Sequence, residues 1–305
     1  MRPFAALVLA PPAQAAFPGA NGLLTFNSDR DGDFELFTMR ADGSEQTQRT
    51  RHSANDRKPV WSPGGRRLAF MSNRDGDFDI YVMDLLGGNL TQVTNDPGSD
   101  FNPAWSPDGR LLGFNSDRSG DFEVYVVAAG GGAPLQLTSS PGVDSVVAFS
   151  PNGRWLAFES SRTGDAEVFL MRPDGSDQHN VTRDPAADLN PSWAPNGQRL
   201  AFTSNRDGDQ DIWVISSRGG GARNLTANTA DDRNAAWSPR RPSDRVRLEP
   251  RRGLRDLLDA RERQAGDAAH AQLGDRLDSG LAALAAGYTA LARRVGKRWS
   301  SSAGE

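Results

Sequence analysis

Residues 100–138 read DFNPAWSPDGRLLGFNSDRSGDFEVYVVAAGGGAPLQLT, and this stretch decides the fold. A first strand-like segment ends at Trp105 and is followed by the turn Ser-Pro-Asp-Gly at 106–109. Pro presets the first corner of such a turn and Gly accepts the positive φ that closes it, so the pattern predicts a hairpin. Three more segments follow, at 110–116, 122–127 and 135–138, with further turns between them. Four short strands joined by turns indicate one small antiparallel sheet.

The same unit recurs five times at a spacing of 44 residues, without insertion. An aromatic residue before a Ser-Pro or Ala-Pro turn stands at Trp61, Trp105, Phe149, Trp193 and Trp237. The same spacing relates Phe26, Phe70, Phe114, Phe158 and Phe202, and also Thr50, Thr94, Thr138, Thr182 and Thr226. A period of about 40–45 residues with short strands is typical of propeller blades, since one sheet cannot bury both of its faces alone. The sequence therefore predicts an all-β propeller of five 44-residue, four-stranded blades, with the central aromatic residues in the core between blades.

These motifs also carry a family resemblance. The pattern Asp-x-x-Pro-x-Trp-Ser-Pro-Asp-Gly at 100–109, then Ser-x-Arg-x-Gly-Asp at 116–121 and Leu-Thr at 137–138, resembles the WD-like repeat of TolB-type β-propellers. The resemblance covers about residues 19–239. It implies the propeller fold and says little about activity, because propellers carry many unrelated functions. The family resemblance also suggests a six-bladed ring preceded by an α/β domain, and this sequence shows neither that domain nor a sixth blade.

The two ends of the repeat array complement each other. The first repeat begins at 22–26 (Gly-Leu-Leu-Thr-Phe) and lacks the strand with the tryptophan, whereas the last repeat consists only of that strand, at 234–237 (Asn-Ala-Ala-Trp). We expect residues 234–237 to become the innermost strand of the first blade, which would close the ring with five blades and leave no free edge. A six-bladed arrangement is the alternative.

The two ends of the sequence predict an exported protein with a C-terminal tail. Residues 1–16 have the order of a signal peptide, with a basic start, an apolar stretch and a small-x-small cleavage site. Residues 17–239 form the predicted propeller, and residues 240–305 form a linker followed by a helical tail with leucines at spacings of three and four. No segment after the N-terminus is long and apolar enough to span a membrane. We therefore predict a periplasmic or extracellular location and a monomer.

Charge separates the propeller from the tail. Residues 240–305 contain 14 Lys/Arg and 9 Asp/Glu, a net charge of +5, so the total of −4 leaves −9 for residues 1–239. A nucleic-acid interface needs a contiguous positive surface, and an acidic ring with scattered arginines does not offer one. The partner we predict is a protein, peptide or glycan of the cell envelope, with no nucleic acid.

Arginines and aspartates in register provide the candidate site residues. The arginines lie in the turn between the second and third strands of each repeat, at Arg30, Arg74, Arg118, Arg162 and Arg206. The aspartates lie in the loops that join successive blades, at Asp56, Asp100, Asp144, Asp188 and Asp232. In a blade of four antiparallel strands, both kinds of loop lie on one face of the ring. The simplest interpretation is a repeated Arg–Asp pair that ties each turn to a joining loop, on a face that is also the candidate ligand-binding surface.

The sequence gives little indication of a catalytic site or a metal site. The turn Asp29-Arg-Asp-Gly-Asp33 and its copies alternate carboxylates, but their Gly is at position four, whereas an EF-hand-type loop has it at position six. His52, His179 and His270 occupy unrelated contexts, which disfavours a histidine metal centre or a catalytic triad. There is no Gly-x-Ser-x-Gly elbow and no cysteine. We therefore predict a non-catalytic binding scaffold without a cofactor or metal. The alternative is a propeller related to hydrolases and lyases, with a metal-dependent activity on peptides or oligosaccharides.

Overall fold

A computed structural model describes residues 22–237, which form five antiparallel sheets with no helix in this range. The first sheet contains β1 (Leu24–Ser28), β2 (Glu35–Met39) and β3 (Thr47–Gln48). The second contains β4 (Asp56–Trp61), β5 (Arg67–Ser72), β6 (Asp79–Asp84) and β7 (Thr91–Gln92). The third contains β8 (Asp100–Trp105), β9 (Leu111–Ser116), β10 (Glu123–Ala128) and β11 (Leu135–Gln136). The fourth contains β12 (Asp144–Phe149), β13 (Leu156–Ser160), β14 (Glu167–Met171) and β15 (His179–Asn180). The fifth contains β16 (Asp188–Trp193), β17 (Arg199–Ser204), β18 (Asp211–Ser216) and β19 (Arg223–Asn224).

Each sheet is a meander whose strands pair in chain order, and consecutive sheets pack face to face. Ile80 and Val82 of β6, for example, form one hydrophobic cluster with Trp105 and Phe114 of the next sheet. Phe70, Phe114, Phe158 and Phe202, which stand at the same position in successive sheets, are all fully buried. This packing confirms the all-β propeller fold with five sheets, and it confirms that the repeated aromatic residues fill the layers between them.

The innermost strands contain a bulge at one fixed position. In β4, β8, β12 and β16 the pairing with the neighbouring strand shifts register after the second residue. The residue at the bulge has a positive φ, at Lys58 (54°), Asn102 (54°), Val146 (46°) and Asn190 (53°), and Asn234 repeats it (57°). Asparagine tolerates this left-handed conformation better than a β-branched residue does, which explains three of these five positions.

The first sheet has three strands, so the fourth strand predicted for it is not paired within residues 22–237. Residues 234–237 are not a strand in this structure. They lie against the fifth sheet, where Trp237 is buried beside Ala201, Ile212 and Val214. The strand exchange that would close the ring stays a prediction.

Two predicted segments lie outside the described residues: the signal peptide at 1–16, and the linker and helical tail at 240–305. Within 22–237 no helix is long and apolar enough to cross a membrane.

Candidate functional site

Two sets of loops meet on one face of the propeller, which we call the loop face. It consists of the loops that join successive sheets and of the turns β1–β2, β5–β6, β9–β10, β13–β14 and β17–β18. These turns join the second and third strands of each repeat, and β1 and β2 count as the second and third strands of the first repeat, whose innermost strand is missing within residues 22–237. Backbone hydrogen bonds connect the two sets: the amide of Asp56 donates to the carbonyl of Phe34 (2.6 Å), and Asp100 and Asp144 donate to Phe78 (2.5 Å) and Phe122 (2.7 Å). The joining loop is therefore fixed next to the turn of the preceding sheet.

Four arginine–aspartate pairs fix each joining loop to the turn of the sheet that follows it. The closest distances from arginine Nη2 to a carboxylate oxygen are 3.0 Å for Arg74–Asp56, 2.8 Å for Arg118–Asp100, 2.7 Å for Arg162–Asp144 and 2.9 Å for Arg206–Asp188. The four aspartates are fully buried. Burial raises the pKa of Asp100 and Asp188, while hydrogen bonds from serine, arginine and threonine oppose that rise. A partner for each of these carboxylates is therefore structurally necessary.

Each of these arginines is also held by the sheet beneath it. Arg118 Nε donates to the hydroxyl of Ser116 (2.9 Å), and its guanidinium lies 4.8 Å from the ring centre of Tyr125. Asp96 adds a second carboxylate at 2.6 Å. With most of its donors in use, Arg118 contributes to the shape of the loop face more than it offers a charge to a ligand.

The arginine and the aspartate at the two ends of the array have different partners. Arg30 is exposed and donates to Ser28 (3.1 Å) and Gln46 (2.8 Å). Asp232 is buried and accepts from Asn228 Nδ2 (2.7 Å). The predicted Arg–Asp pairing is thus formed at the four junctions between described sheets, and Arg30 and Asp232 are the two members left over.

A second buried network, which the sequence did not lead us to expect, lies beneath the loop face. The first residue of the third strand is acidic and buried in every repeat, at Glu35, Asp79, Glu123, Glu167 and Asp211. The repeated threonine after the outer strand bridges this acid and the third strand: Thr94 Oγ1 donates to Asp79 (3.0 Å) and accepts from the amide of Ile80 (2.9 Å). The signal was present in the sequence as an acid every 44 residues, each before an apolar run. It was overlooked because an acid at a strand start is ordinarily solvated.

The acid of the third sheet is less well satisfied than that of the fourth. Both oxygens of Glu167 accept hydrogen bonds, from the Asp184 amide and from Thr182. Glu123 Oε2, in contrast, is buried without a partner among the described residues, and so is Asp144 Oδ1. Burial, with the adjacent Asp144 as a further cause, raises the pKa of Glu123 to about 7. A proton retained on Glu123 would give this carboxyl group a hydrogen to donate to the adjacent Asp144, which would account for both unsatisfied oxygens.

One further acid lies among the innermost strands. Glu159 of β13 is buried, and its carboxylate accepts from the backbone amide of Asn190 and from Ser145 Oγ (3.3 Å). Burial raises the pKa of Glu159 to about 7, and the hydrogen bonds from Asn190 and Ser145, followed by the charge of Lys58, oppose this rise. The carboxylate thus holds the bulge of the next sheet in place.

Two acidic triads in the turns have oxygen atoms that could hold a cation. Asp75, Asp77 and Asp79 bring one oxygen each to within 4.8 Å of the others, and Asp207, Asp209 and Asp211 do the same in the fifth sheet. In each triad an amide side chain donates to both of the outer two acids, Gln92 in the first and Asn224 in the second. These amides compensate part of the charge that a cation would otherwise neutralise. Hard oxygen donors of this kind suit Ca²⁺ or Mg²⁺ in type, and the bridging amides favour a self-satisfied turn.

The histidines do not converge in the described part of the chain. The amide of Ala54 donates to His52 Nδ1 (3.1 Å) in the first joining loop. His179 stacks edge-on against Trp155 in the fourth sheet, with ring centres 5.4 Å apart. His270 lies outside residues 22–237.

Comparison with known proteins identifies relatives of this architecture. The family model described as the TolB beta propeller domain matches residues 50–140 and 135–243, together more than half of the chain. No curated protein matches the chain.

Solved structures give the same fold. A protein from Agrobacterium tumefaciens assigned as a TolB has 26% identity and a TM-score of 0.57, with 71% of this chain and 87% of that one covered. TolB from Acinetobacter baumannii has 19% identity and a TM-score of 0.60, with 69% and 54% covered. An oligogalacturonate lyase in complex with manganese has 17% identity and a TM-score of 0.54, with 67% and 62% covered. At these identities the last two show the fold alone, and this chain spans only about half of the Acinetobacter protein.

Proposed function

Since the chain belongs to the TolB β-propeller domain family, we propose that it is a non-catalytic scaffold that binds a protein or peptide, or a glycan, of the cell envelope through the loop face. The observation that supports this most is the set of four buried Arg–Asp pairs, which hold turns and joining loops in one fixed arrangement. A surface that is ordered before binding loses little conformational entropy when a partner docks. The scaffold acts as a monomer in the periplasm or outside the cell, to which the signal-like residues 1–16 would direct it.

Charge on the loop face favours a partner with basic groups. Asp31, Asp75 and Asp207 are exposed in turns of this face, and the arginines of these turns are mostly committed to buried aspartates. The resulting negative potential attracts cationic groups and repels polyanions. Among the three partner classes, a protein or peptide fits this surface better than a uronate-rich glycan does.

The proposal is tested by charge changes matched between the two faces. Asp75→Asn with Asp207→Asn alters the loop face, whereas Asp108→Asn with Asp174→Asn removes the same charge from turns on the opposite face. Each variant of the full chain is used to capture partners from a cell-envelope extract, with quantification by mass spectrometry. We expect loss of the specific partner only with the loop-face pair. Loss only with the opposite-face pair, or turnover of peptides or oligogalacturonate by the purified protein, would contradict the proposal.

A further inference from the structure

A half-buried arc of side chains surrounds part of the inner edge of the loop face. Two positions of each repeat build this edge: the residue before the third strand and the second residue of the innermost strand. In the first three sheets the members are Phe34, Arg57, Phe78, Phe101 and Phe122, which we call the aromatic arc, and each is half-buried. At the same positions the remaining repeats carry Ser145, Ala166, Leu189, Gln210 and Arg233. One half of the edge thus consists of four phenylalanines and Arg57, whereas the other half has no aromatic residue and contains small, aliphatic and polar side chains with one arginine.

The members of the arc form two contact groups, Phe34 with Arg57, and Phe78 with Phe101 and Phe122. Arg57 lies over the ring of Phe34, with its guanidinium carbon 3.9 Å from the ring centre. Phe101 lies between Phe78 and Phe122, with ring centres 5.5 Å and 5.7 Å away. The backbone bonds between joining loops and turns hold both positions together, so the arc is a fixed surface.

Arg57 differs from the arginines of the turns because its donors are largely unused. Its Nε is buried and has no hydrogen-bond partner among the described residues. Its Nη2 makes one long hydrogen bond, to Asn55 Oδ1 at 3.4 Å, and it forms no salt bridge within residues 22–237. The half-exposed guanidinium, whose Nη2 makes only this one long hydrogen bond, can bind a carboxylate beside the aromatic rings.

From these contacts we propose that the aromatic arc binds a peptide segment that combines apolar side chains with one carboxylate, the carboxylate pairing with Arg57 and the apolar groups packing on Phe78, Phe101 and Phe122. This assignment rests on the proposed function and names its ligand chemistry. The ring planes are tilted by 43° and 69°, so they present edges and not one flat platform, which suits aliphatic and aromatic side chains better than sugar faces. Basic residues flanking this segment would meet Asp31, Asp75 and Asp77 in the neighbouring turns.

The other repeats show which residues can replace members of the arc at equivalent positions. Phe101→Ser and Arg57→Leu introduce the residues that stand at the corresponding positions of the fourth and fifth sheets, Ser145 and Leu189. Random linear peptides displayed on phage are selected on the full chain, and an enriched synthetic peptide is then measured by fluorescence anisotropy. We expect enriched sequences with apolar residues around one Asp or Glu. Affinity should fall roughly 10- to 100-fold for either variant, the scale of one lost charge-assisted hydrogen bond or buried aromatic contact.

Three controls keep the outcome unambiguous. Leu189→Ser alters the other half of the edge and should leave peptide affinity unchanged. Replacement of the peptide's Asp or Glu by Asn or Gln should lower its affinity for the native protein but not for the Arg57→Leu variant. The measurement on the native protein does not depend on whether the variant folds. Selection that yields no enriched peptide, or peptides indifferent to both arc variants, would overturn the assignment. Partner capture that still depends on the loop face would then leave the proposed function standing without it.

Discussion

At the scale of single residues, the loop face is built from charged groups that are removed from water in matched pairs. Asp100 is fully buried, yet it has two hydrogen bonds from Arg118. The same residue types at the ends of the array, Arg30 and Asp232, lack such a partner in the described residues. Substitution of an arginine that pairs with a buried aspartate can therefore be compared with substitution of Arg30, which occupies the same repeat position without that pair.

The first prediction compares two arginines of the same register. Arg118→Ala should lower the free energy of unfolding by about 1–3 kcal/mol, because it leaves the buried Asp100 carboxylate without its cation. Arg30→Ala removes an exposed side chain that pairs with no aspartate among the described residues, and should change it by less than about 0.5 kcal/mol. Urea denaturation measures both. Equal effects would show that the Asp100 pair is not the source of the stabilisation.

The second prediction concerns the pH dependence of stability. Burial raises the pKa of Asp79, Glu123 and Glu159 to about 7 in the folded protein. Between about pH 4.5 and pH 7 the unfolded chain has released these protons while the folded chain retains them, so the stability that these groups contribute is greatest below this window and declines through it. Melting temperatures across this range should therefore fall as the pH rises.

Substitution of one acid isolates its share of this effect. Glu123→Gln keeps the shape and cannot ionise, so its melting temperature should depend less on pH and exceed that of the native chain at pH 8. Glu167→Gln is the matched control: it weakens the bonds from Thr182 and Asp184 and should lower stability at pH 8. A native melting temperature that rises through this window would contradict the retention of a proton on Glu123 in the folded protein.

At the scale of strands and turns, most features were predictable from the 44-residue period. The order of strands, the turns and the burial of Trp105 and Phe114 all follow from alternation and turn chemistry. The bulge at the third residue of each innermost strand could not be predicted from the sequence, because register shifts depend on how a strand pairs with its neighbours. The buried acids such as Asp79 were also missed, since local sequence does not show that a threonine from another part of the sheet will cover them.

The third prediction uses the one β-branched residue at a bulge. Val146 has a φ of 46°, a conformation that costs a β-branched residue more than asparagine. Val146→Asn, which copies Asn102 and Asn190, should raise the free energy of unfolding by about 1 kcal/mol. Asn190→Val is the reverse change and should lower it by a similar amount. The two shifts, measured by thermal melting, should have opposite signs, and a loss of stability in both would show that side-chain packing outweighs backbone strain at the bulge.

At the scale of the whole molecule, the first repeats lack contacts, within residues 22–237, that the segment at the end of the repeat array could supply. The indole nitrogens of Trp105, Trp193 and Trp237 each donate to a carbonyl 45 residues earlier. The indole nitrogen of Trp61 is buried and has no partner among the described residues. In the repeat register, the carbonyl that would accept from it in a closed ring belongs to Ala236. Phe26 of β1 is likewise only half-buried, whereas its four equivalents are fully buried.

The fourth prediction follows from that match. Deletion of residues 228–305 should destabilise the whole propeller, because it removes the segment that would cover β1 and satisfy Trp61. Deletion of 245–305 alone should leave the melting temperature nearly unchanged. Identical melting of both truncated chains and the full chain would rule out the strand exchange.

The tryptophan bond that spans 45 residues has a consequence for how such a molecule changes over generations. Because every such contact joins a repeat to its immediate neighbour, its chemistry depends on relative and not absolute position along the chain. Duplication of a complete 44-residue segment that contains such a tryptophan would therefore keep donor and acceptor in register, whereas insertion of a fraction of a segment between them would shift them out of register. Whole repeats can therefore be added between existing ones without loss of these tryptophan bonds, whereas a partial repeat cannot be added between a donor and its acceptor.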